Sequence, residues 1–186
     1  MTEPDSLYSE ILNIYSRLLN ADSGSLMLLD KSSGKLKIAA SFGIKVLDKD
    51  EDVISGGISD WVKANKKPVL IDGPLKNYSI FSHIEPREEI RSSICVPLLI
   101  NEKLEGILNL NILKPNMGFK DMDMEFGVVL ANFIAVMIEK VRLNKKLNDA
   151  MNSMKSMEAE MIQSEKLSTL GRFAAGIAHE IRNPLA

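Results

Sequence analysis

The sequence predicts an α+β domain over residues 1–140 followed by one long helix, and three observations lead to this prediction. Apolar runs typical of β-strands lie between residues 25 and 113, and short polar turns join them in pairs. Apolar residues at helical spacing precede and follow these runs. From about residue 121 a 3–4 apolar spacing continues to residue 183 without a proline. We therefore expect an antiparallel sheet with flanking helices and a coiled-coil extension.

The amino-acid composition limits the kinds of protein that this chain can be. The 186 residues are 45% hydrophobic, which is enough for a globular domain of about 120–140 residues. A formal net charge of −2 gives no reason to expect nucleic acid as a partner. The single cysteine excludes an intrachain disulfide and is typical of a reducing compartment. No apolar run reaches the ~20 residues that span a bilayer and no signal peptide is visible, so we expect a cytoplasmic domain without membrane contact.

The N-terminal elements follow from short-range patterns. Apolar residues recur at helical spacing over residues 5–19, which predicts an amphipathic helix. The apolar runs 25–30 and 35–41 flank a turn in which Gly34 can supply positive φ, so they are predicted to form a hairpin. Residues 42–56 are polar and acidic, and we expect a loop with a turn or short helix there.

The middle of the domain is less regular. Residues 58–64 are predicted to form a short helix with Trp61 and Val62 facing inward. A short buried strand is expected at 69–71, after a lysine pair and a proline that end the helix. Residues 72–91 contain two prolines and many charges, and we expect irregular structure in this segment.

Two strong strands and the start of the long helix complete the domain. Residues 92–100 and 104–113 are strand-like and are joined by a polar turn at 101–103. Asp121 is placed to cap the helix that follows. Asp123, in its first turn, favours the positive end of the helix dipole.

Four short segments, in this order and spacing, resemble the GAF domain family over residues 5–140. They are Gly57–Val62, Ser93–Leu98, Leu104–Leu110 and Phe119–Asp123. A PAS domain is the alternative, but it normally lacks an opening helix packed under the sheet. The resemblance implies a small ligand held between the sheet and the loops of its other face: a cyclic nucleotide, haem, a bilin or a small metabolite.

The residues leave the identity of this ligand unknown. The motif of cyclic-nucleotide-type GAF domains is partly represented by Asn111, Lys114, Phe119 and Asp123. Its Asn-Lys pair is split, however, and Met124 stands in place of its final glutamate. A cyclic nucleotide is therefore the less favoured interpretation.

Three further residues of the domain have a structural and a functional interpretation. His83 could ligate haem iron, but a surface loop position is the simpler interpretation. Cys95 lies in an apolar strand, which favours a buried thiol over bilin attachment or redox sensing. Trp61 is interpreted as core rather than a stacking platform. Zinc-site spacings, a Ser-His-Asp arrangement and a Gly-rich dinucleotide motif are absent, so we expect no metal site.

The long helix carries an apolar seam that predicts a parallel homodimer through residues 121–183. Its members follow 3–4 spacing and are interrupted once by Lys140: Val129, Phe133, Val136, Leu143, Leu147, Ala150, Met154, Met157 and Met161. A second seam from Leu167 to Ile181 begins after a three-residue phase slip. We interpret residues 141–164 as a signalling linker. Its methionines are most simply tolerated core residues, and the alternative hypothesis is that this adaptable core lets the helices rotate or shift register.

Residues 165–186 end in a group suited to phosphoryl acceptance. His179 is followed at once by Glu180, and Asn183 lies one helical turn later on the same face. Pro184 lacks an N–H, so the helix is expected to bend or end there. A neutral imidazole is a good nucleophile near pH 7, and an adjacent carboxylate can fix its tautomer or take its proton. In the second seam His179 occupies an outward position.

The segment from Glu165 to Leu185 resembles the start of the dimerisation and phosphoacceptor domain of bacterial sensor histidine kinases, including its H-box. The resemblance implies that His179 is the phosphoacceptor and that Glu180 orients the imidazole or takes its proton. It also implies that Asn183 positions the kinase domain or acts in the reverse, phosphatase reaction. ATP and Mg²⁺ would be bound by a separate kinase domain, and a response regulator would receive the phosphate.

We expect this chain alone to be inactive, because neither a Gly-rich phosphate loop nor a Walker lysine is visible in it. The alternative is a non-catalytic GAF ligand-binding or dimerisation module whose helix is a spacer. A third interpretation, a cyclic-nucleotide hydrolase with GAF regulation, requires a metal-binding catalytic domain, of which the sequence shows no trace.

Overall fold

The computed structural model describes residues 4–43, 57–85 and 87–182. Its helices are α1 (Pro4–Leu18), α2 (Ile58–Asn65) and α3 (Asp121–Arg182). Its strands are β1 (Ser23–Leu29), β2 (Leu36–Phe42), β3 (Val69–Asp72), β4 (Ser92–Ile100) and β5 (Lys103–Ile112). Two short 3-10 turns, Leu75–Asn77 and Ser79–Phe81, follow β3. Most of the loop predicted at 42–56 lies outside the described residues.

The five strands form one antiparallel sheet in the order β2-β1-β5-β4-β3. Two hairpins, β1–β2 and β4–β5, are joined side by side through β1 and β5. This sheet with flanking helices confirms the predicted α+β class. The strand predicted as buried at 69–71 is an edge strand, because β3 pairs with β4 alone among the described strands. Val69 and Ile71 are nevertheless buried, in the apolar cluster that also contains Val62.

The sheet has an apolar cluster on each face. On the first face, α1 and the early turns of α3 bury side chains such as Leu12 and Ile134 against Leu110. On the second face, α2 and the 3-10 turns bury Val62 and Phe81. The inward orientation predicted for Val62 is confirmed, since none of its surface is exposed. Strand residues alternate between the two clusters because successive side chains point to opposite faces.

Tight turns fix the registers of the two hairpins. Gly34 has a φ of +68°, in agreement with the positive φ predicted for it. In the β4–β5 turn Asn101 and Glu102 both have positive φ, at 48° and 62°. Positive φ at both central residues is the requirement of a type I′ turn, whose twist matches that of the strands. At Gly106 on β5, a Cβ atom would lie 2.3 Å from the backbone oxygen of Met27, so only glycine fits this position.

The cap of α3 differs from the one predicted. The first intrahelical bonds run from Asp123 N and Met124 N to the carbonyl of Lys120, which places Lys120 at the cap. The carboxylate of Asp123, not that of Asp121, accepts a hydrogen bond from Lys120 N at 2.8 Å. This is the contact that a residue at the third helical position makes back to the cap, and the prediction chose the wrong carboxylate by two positions.

The helix α3 is continuous over 62 residues. The chain divides into two compact units, residues 1–139 and 140–186. In the first unit, one face of α3 is buried against the sheet. In the second unit, the side chains of residues 143–168 are all exposed. None of the helices in the described part of the chain combines the length and apolarity that a bilayer-spanning segment needs.

Candidate functional site

Two rows of polar side chains lie on the second face of the sheet, at one end of β1, β4 and β5. In the first row, Ser23 and Ser93 lie opposite Asn111 on the neighbouring strands. In the second row, Ser25 and Cys95 lie opposite Asn109. We call these side chains the polar rows. They share their face with the apolar cluster around Ile107, because alternate residues of a strand point the same way.

Asn111 carries an unused hydrogen-bonding atom in this group. Its Nδ2 donates to Ser23 Oγ at 3.2 Å, whereas its Oδ1 is buried and has no partner. Asn111 and Ser23 are 5% and 0% exposed, so water does not reach them freely. An unsatisfied buried acceptor costs about 1–3 kcal/mol, and such groups often mark functional positions. A ligand that donates a hydrogen bond would satisfy this atom.

One hydrogen bond joins the first row to the second. Ser93 Oγ donates to Asn109 Oδ1 at 3.2 Å, which links the two rows. The rows contain hydroxyl and amide groups and the thiol of Cys95, and no charged side chain. They can therefore bind a polar ligand, but they offer no general acid or base.

Cys95 is a core residue, as the sequence predicted. Its side chain is 1% exposed, and burial raises the pKa of its thiol to about 12, against a smaller opposing effect of a hydrogen bond with Ser59. A thiol with this pKa stays protonated near neutrality and is a poor nucleophile. The geometry therefore gives no support to bilin attachment or redox sensing at this position.

The partial cyclic-nucleotide motif is used in structural contacts. Lys114 Nζ lies 2.9 Å from a carboxylate oxygen of Asp22. Phe119 is buried in the first apolar cluster, and its N–H donates to Ser92 Oγ at 3.0 Å. Asp123 makes the helix-cap contact described above. Of the four motif residues, only Asn111 lies in the polar rows.

The other two residues singled out in the sequence also have defined positions. His83 is exposed in the turn that follows the second 3-10 segment, consistent with a surface loop histidine. Trp61 is half-buried and packs edge-on against Phe81, with ring centroids 5.8 Å apart. The described residues contain no group of three or more His, Cys, Asp or Glu side chains that could hold a metal ion.

The segment predicted to accept a phosphoryl group is only partly described. His179 and Glu180 lie on α3, which is helical to Arg182. Asn183 and Pro184 lie outside the described residues, so the predicted grouping of the imidazole and the amide and the predicted helix distortion stay predictions. Sequence reasoning missed the polar rows. Their signal was available, because Asn109 and Asn111 alternate with Leu108, Leu110 and Ile112 in the second half of β5.

Comparison with known proteins identifies the fold family. A family profile described as the GAF domain matches residues 1–139. The chain belongs to the GAF domain family. The resemblance that the four short segments indicated is thereby confirmed for residues 1–139.

Solved structures agree with this assignment. The GAF domain of an Acinetobacter phosphoenolpyruvate-protein phosphotransferase aligns with a TM-score of 0.63 at 19% identity, covering 77% of this chain and 86% of that chain. A domain assigned to a two-component sensor histidine kinase of Sinorhizobium meliloti 1021 aligns with a TM-score of 0.60 at 17% identity, covering 80% and 99%. The second GAF domain of DevS from Mycobacterium smegmatis aligns with a TM-score of 0.62 at 12% identity, covering 78% and 99%. At these identities the likeness shows the fold alone.

A short stretch of the chain has a much higher identity to a curated protein. Over 31 residues it is 68% identical to Sporulation kinase A of Bacillus subtilis (strain 168). This stretch covers 17% of the GAF-containing chain and 5% of that kinase. The chain therefore matches only a small part of that relative's length.

Proposed function

We propose that this chain is the sensory part of a sensor histidine kinase, in which the GAF domain controls ATP-dependent phosphorylation of His179. In this proposal the phosphate then passes to an aspartate of a response regulator. ATP, the phosphoryl donor, would be held together with Mg²⁺ by a separate kinase domain. The H-box residues His179, Glu180 and Asn183 carry the proposal, and the short, highly identical stretch shared with Sporulation kinase A supports it.

The continuity of α3 is the structural observation that favours this function. The same helix that buries Ile134 and Ile138 in the core of the GAF domain continues without a break to the position of His179. A change in the packing of the sheet against α3 therefore acts on the segment that carries the phosphoacceptor. A helix that served only as a spacer would not need this shared core.

In this proposal the sheet transmits ligand binding on its second face to α3 on its first face. Asn109 and Asn111 of β5 lie in the polar rows, whereas Leu110 and Ile112, which alternate with them, pack in the cluster that contains Ile134. A ligand that binds Asn111 Oδ1 would shift β5 and hence this cluster. Packed cores transmit such shifts because they do not deform continuously. We propose a small polar molecule as the signal.

The proposed chemistry needs three groups of the H-box. A ring nitrogen of His179 attacks the γ-phosphorus of ATP, an N–P bond forms, and the P–O bond to ADP breaks. Glu180 takes the imidazole proton or stabilises the imidazolium that develops. Asn183 positions the kinase domain or a water in the reverse reaction, and Pro184 ends the helical hydrogen bonding beyond Glu180.

Phosphate transfer from labelled ATP to the full-length gene product tests the proposal. With Mg²⁺ and [γ-³²P]ATP, the parent protein should acquire an acid-labile, alkali-stable phosphate, and His179→Gln should lose it. The chain offers a matched control, because its other histidine, His83, is exposed in the GAF domain. His83→Gln should be labelled like the parent.

The same experiment separates the alternative function. If the parent protein acquires no histidine phosphate, or if His179→Gln is labelled to the same extent, the kinase assignment is wrong. The chain would then be a GAF ligand-binding or dimerisation module with a helical spacer.

A further inference from the structure

A groove of about 480 Å³ runs along the outer edge of β3, away from the polar rows. One wall comes from the second face of the sheet and contains Trp61, Tyr78 and Phe81. The opposite wall comes from the first turns of α3 and contains Asp121 and Met124. The floor is the edge strand itself. The groove thus spans the boundary between the two layers of the domain.

The backbone of Leu70 is open toward this groove. Gly73 N donates to the carbonyl of Arg91. Because the backbone groups of alternate residues point to the same side of a strand, the N–H and C=O groups of the odd-numbered residues of β3 point toward β4. The N–H and C=O of Asp72 point away from β4. Both are hydrogen-bonded to the hydroxyl of Tyr78, at 2.8 and 3.1 Å. The N–H and C=O of Leu70 point outward in the same way as those of Asp72, and they have no partner among the described residues.

The groove is short and closed at both ends of its backbone edge. Tyr78 occupies the hydrogen-bonding groups of Asp72 at one end. Pro68, which precedes β3 at the other end, has no N–H to donate. Short edges of this kind resist open-ended pairing with another sheet. The backbone N–H and C=O of Leu70 therefore stay open between these two ends. The groove there is long enough for a segment of a few extended residues.

The two walls differ in polarity. The side chain of Asp72 lies on the α3 side, since a Cβ atom built on Gly118 would meet its Oδ1. Asp72 and Asp121 are both exposed, and neither forms an ion pair with another described residue. The other wall is aromatic and apolar. An extended segment alternates its side chains between two sides, so an apolar–basic alternation fits both walls.

We propose that this groove binds an extended peptide segment of a partner protein, in which apolar and basic residues alternate. The segment pairs with the backbone of Leu70 as an added strand. Its apolar side chains contact Trp61 and Phe81, and its basic side chains lie near Asp72 and Asp121. This site is separate from the polar rows and from His179, so it does not rest on the proposed kinase function.

Fluorescence titration of the 186-residue chain tests the site directly, because its only tryptophan, Trp61, lines the groove. The probe is the synthetic peptide acetyl-Lys-Val-Lys-Ile-Lys-amide, which has no tryptophan of its own. We expect a saturable change in Trp61 emission. Its acidic twin, with glutamate at each lysine position, should bind at least about tenfold more weakly, since repulsion replaces attraction at both carboxylates. A twin N-methylated on alternate residues should not bind, because it cannot form the strand hydrogen bonds.

Variants of the chain test separately how the backbone contact and the charged side chains contribute to peptide binding. Leu70→Pro removes the outward N–H without removing a bond to β4, and it should abolish binding. Asp72→Asn and Asp121→Asn should each weaken binding about two- to fivefold, the effect of one exposed ion pair. Asp149→Asn, at an exposed carboxylate in the second unit, is the matched control and should bind like the parent. Equal affinity for the basic, acidic and N-methylated peptides, or no saturable change with the basic peptide, would overturn the proposal whether or not Leu70→Pro folds.

Discussion

At the scale of single residues, Asp22 shows how one side chain joins two distant segments. Its Oδ2 accepts hydrogen bonds from the backbone N–H groups of Leu113 and Lys114 at 3.0 and 3.4 Å. Its Oδ1 lies 2.9 Å from Lys114 Nζ. These contacts, led by the Lys114 side chain, lower the pKa of Asp22 below its ordinary value. The carboxylate thereby connects the start of β1 to the residues that follow β5.

This depressed pKa predicts a pH-dependent loss of stability in Asp22→Asn. A carboxyl whose pKa is lower in the folded state contributes stability above its unfolded pKa, and the contribution disappears as pH falls through the folded pKa. We expect Asp22→Asn to reduce the free energy of unfolding by about 1 kcal/mol at pH 7, with a smaller difference below about pH 4. Urea unfolding at pH 7 and pH 3 measures the difference, with Asp149→Asn as the control. A difference that is the same at both pH values would contradict the prediction.

At the scale of an element, the β4–β5 hairpin has a strained turn. Glu102 has a φ of 62°, in the left-handed region that glycine adopts without strain. Its contact with Lys66 Nζ uses the backbone carbonyl, which glycine retains. The strain at this residue can therefore be removed without losing the recorded contact.

Glu102→Gly should stabilise the hairpin. Asn-Gly is the preferred pair in a type I′ turn, and the relief of strain outweighs the added freedom of the unfolded chain by about 0.5–1 kcal/mol. Thermal unfolding should show a higher midpoint for Glu102→Gly. Gly106→Ala is the opposite control in the same hairpin, because a Cβ there would meet the backbone of β1, and its midpoint should fall. A lower midpoint for Glu102→Gly would show that the turn is not strained.

The helices and strands could be predicted from the sequence where one physical signal dominated. The helix cap, the edge position of β3 and the contacts between distant strands could not. Alternating apolar runs and the turn at Gly34 indicated the hairpins within a residue or two, because local periodicity determines them. The capping role of Asp123 depends on whether the helix begins one residue earlier or later, which propensity does not resolve. The edge position of β3 and the meeting of Ser23, Asn111 and Ser93 in one row depend on the pairing of distant strands. The H-box stays a prediction from the sequence, where its residues lie within one short segment.

At the scale of the whole molecule, α3 has two apolar faces in the first unit. Ile134 and Ala135 are fully buried against the sheet, whereas Phe133 and Val136 of the same turn are 63% and 64% exposed. In the second unit the seam residues Leu147, Met154 and Met161 are also exposed. Exposed apolar side chains at 3–4 spacing, interrupted here by Lys140, are the pattern of a coiled-coil seam. We therefore expect a second copy of the chain to cover this face.

Sedimentation velocity of the chain tests the homodimer. Phe133→Glu combined with Val136→Glu places two carboxylates on the exposed seam of each protomer, where like charges would oppose one another, and should shift the dimer toward monomer. The sheet core should stay folded, because neither side chain belongs to the cluster around Ile134. Asn148→Glu with Asn152→Glu adds the same charge at exposed positions between the seam residues, and this control should stay dimeric. If the seam variant and the control sediment alike, the exposed face of α3 is not the dimer interface, and the predicted pairing of two protomers through residues 121–183 is wrong.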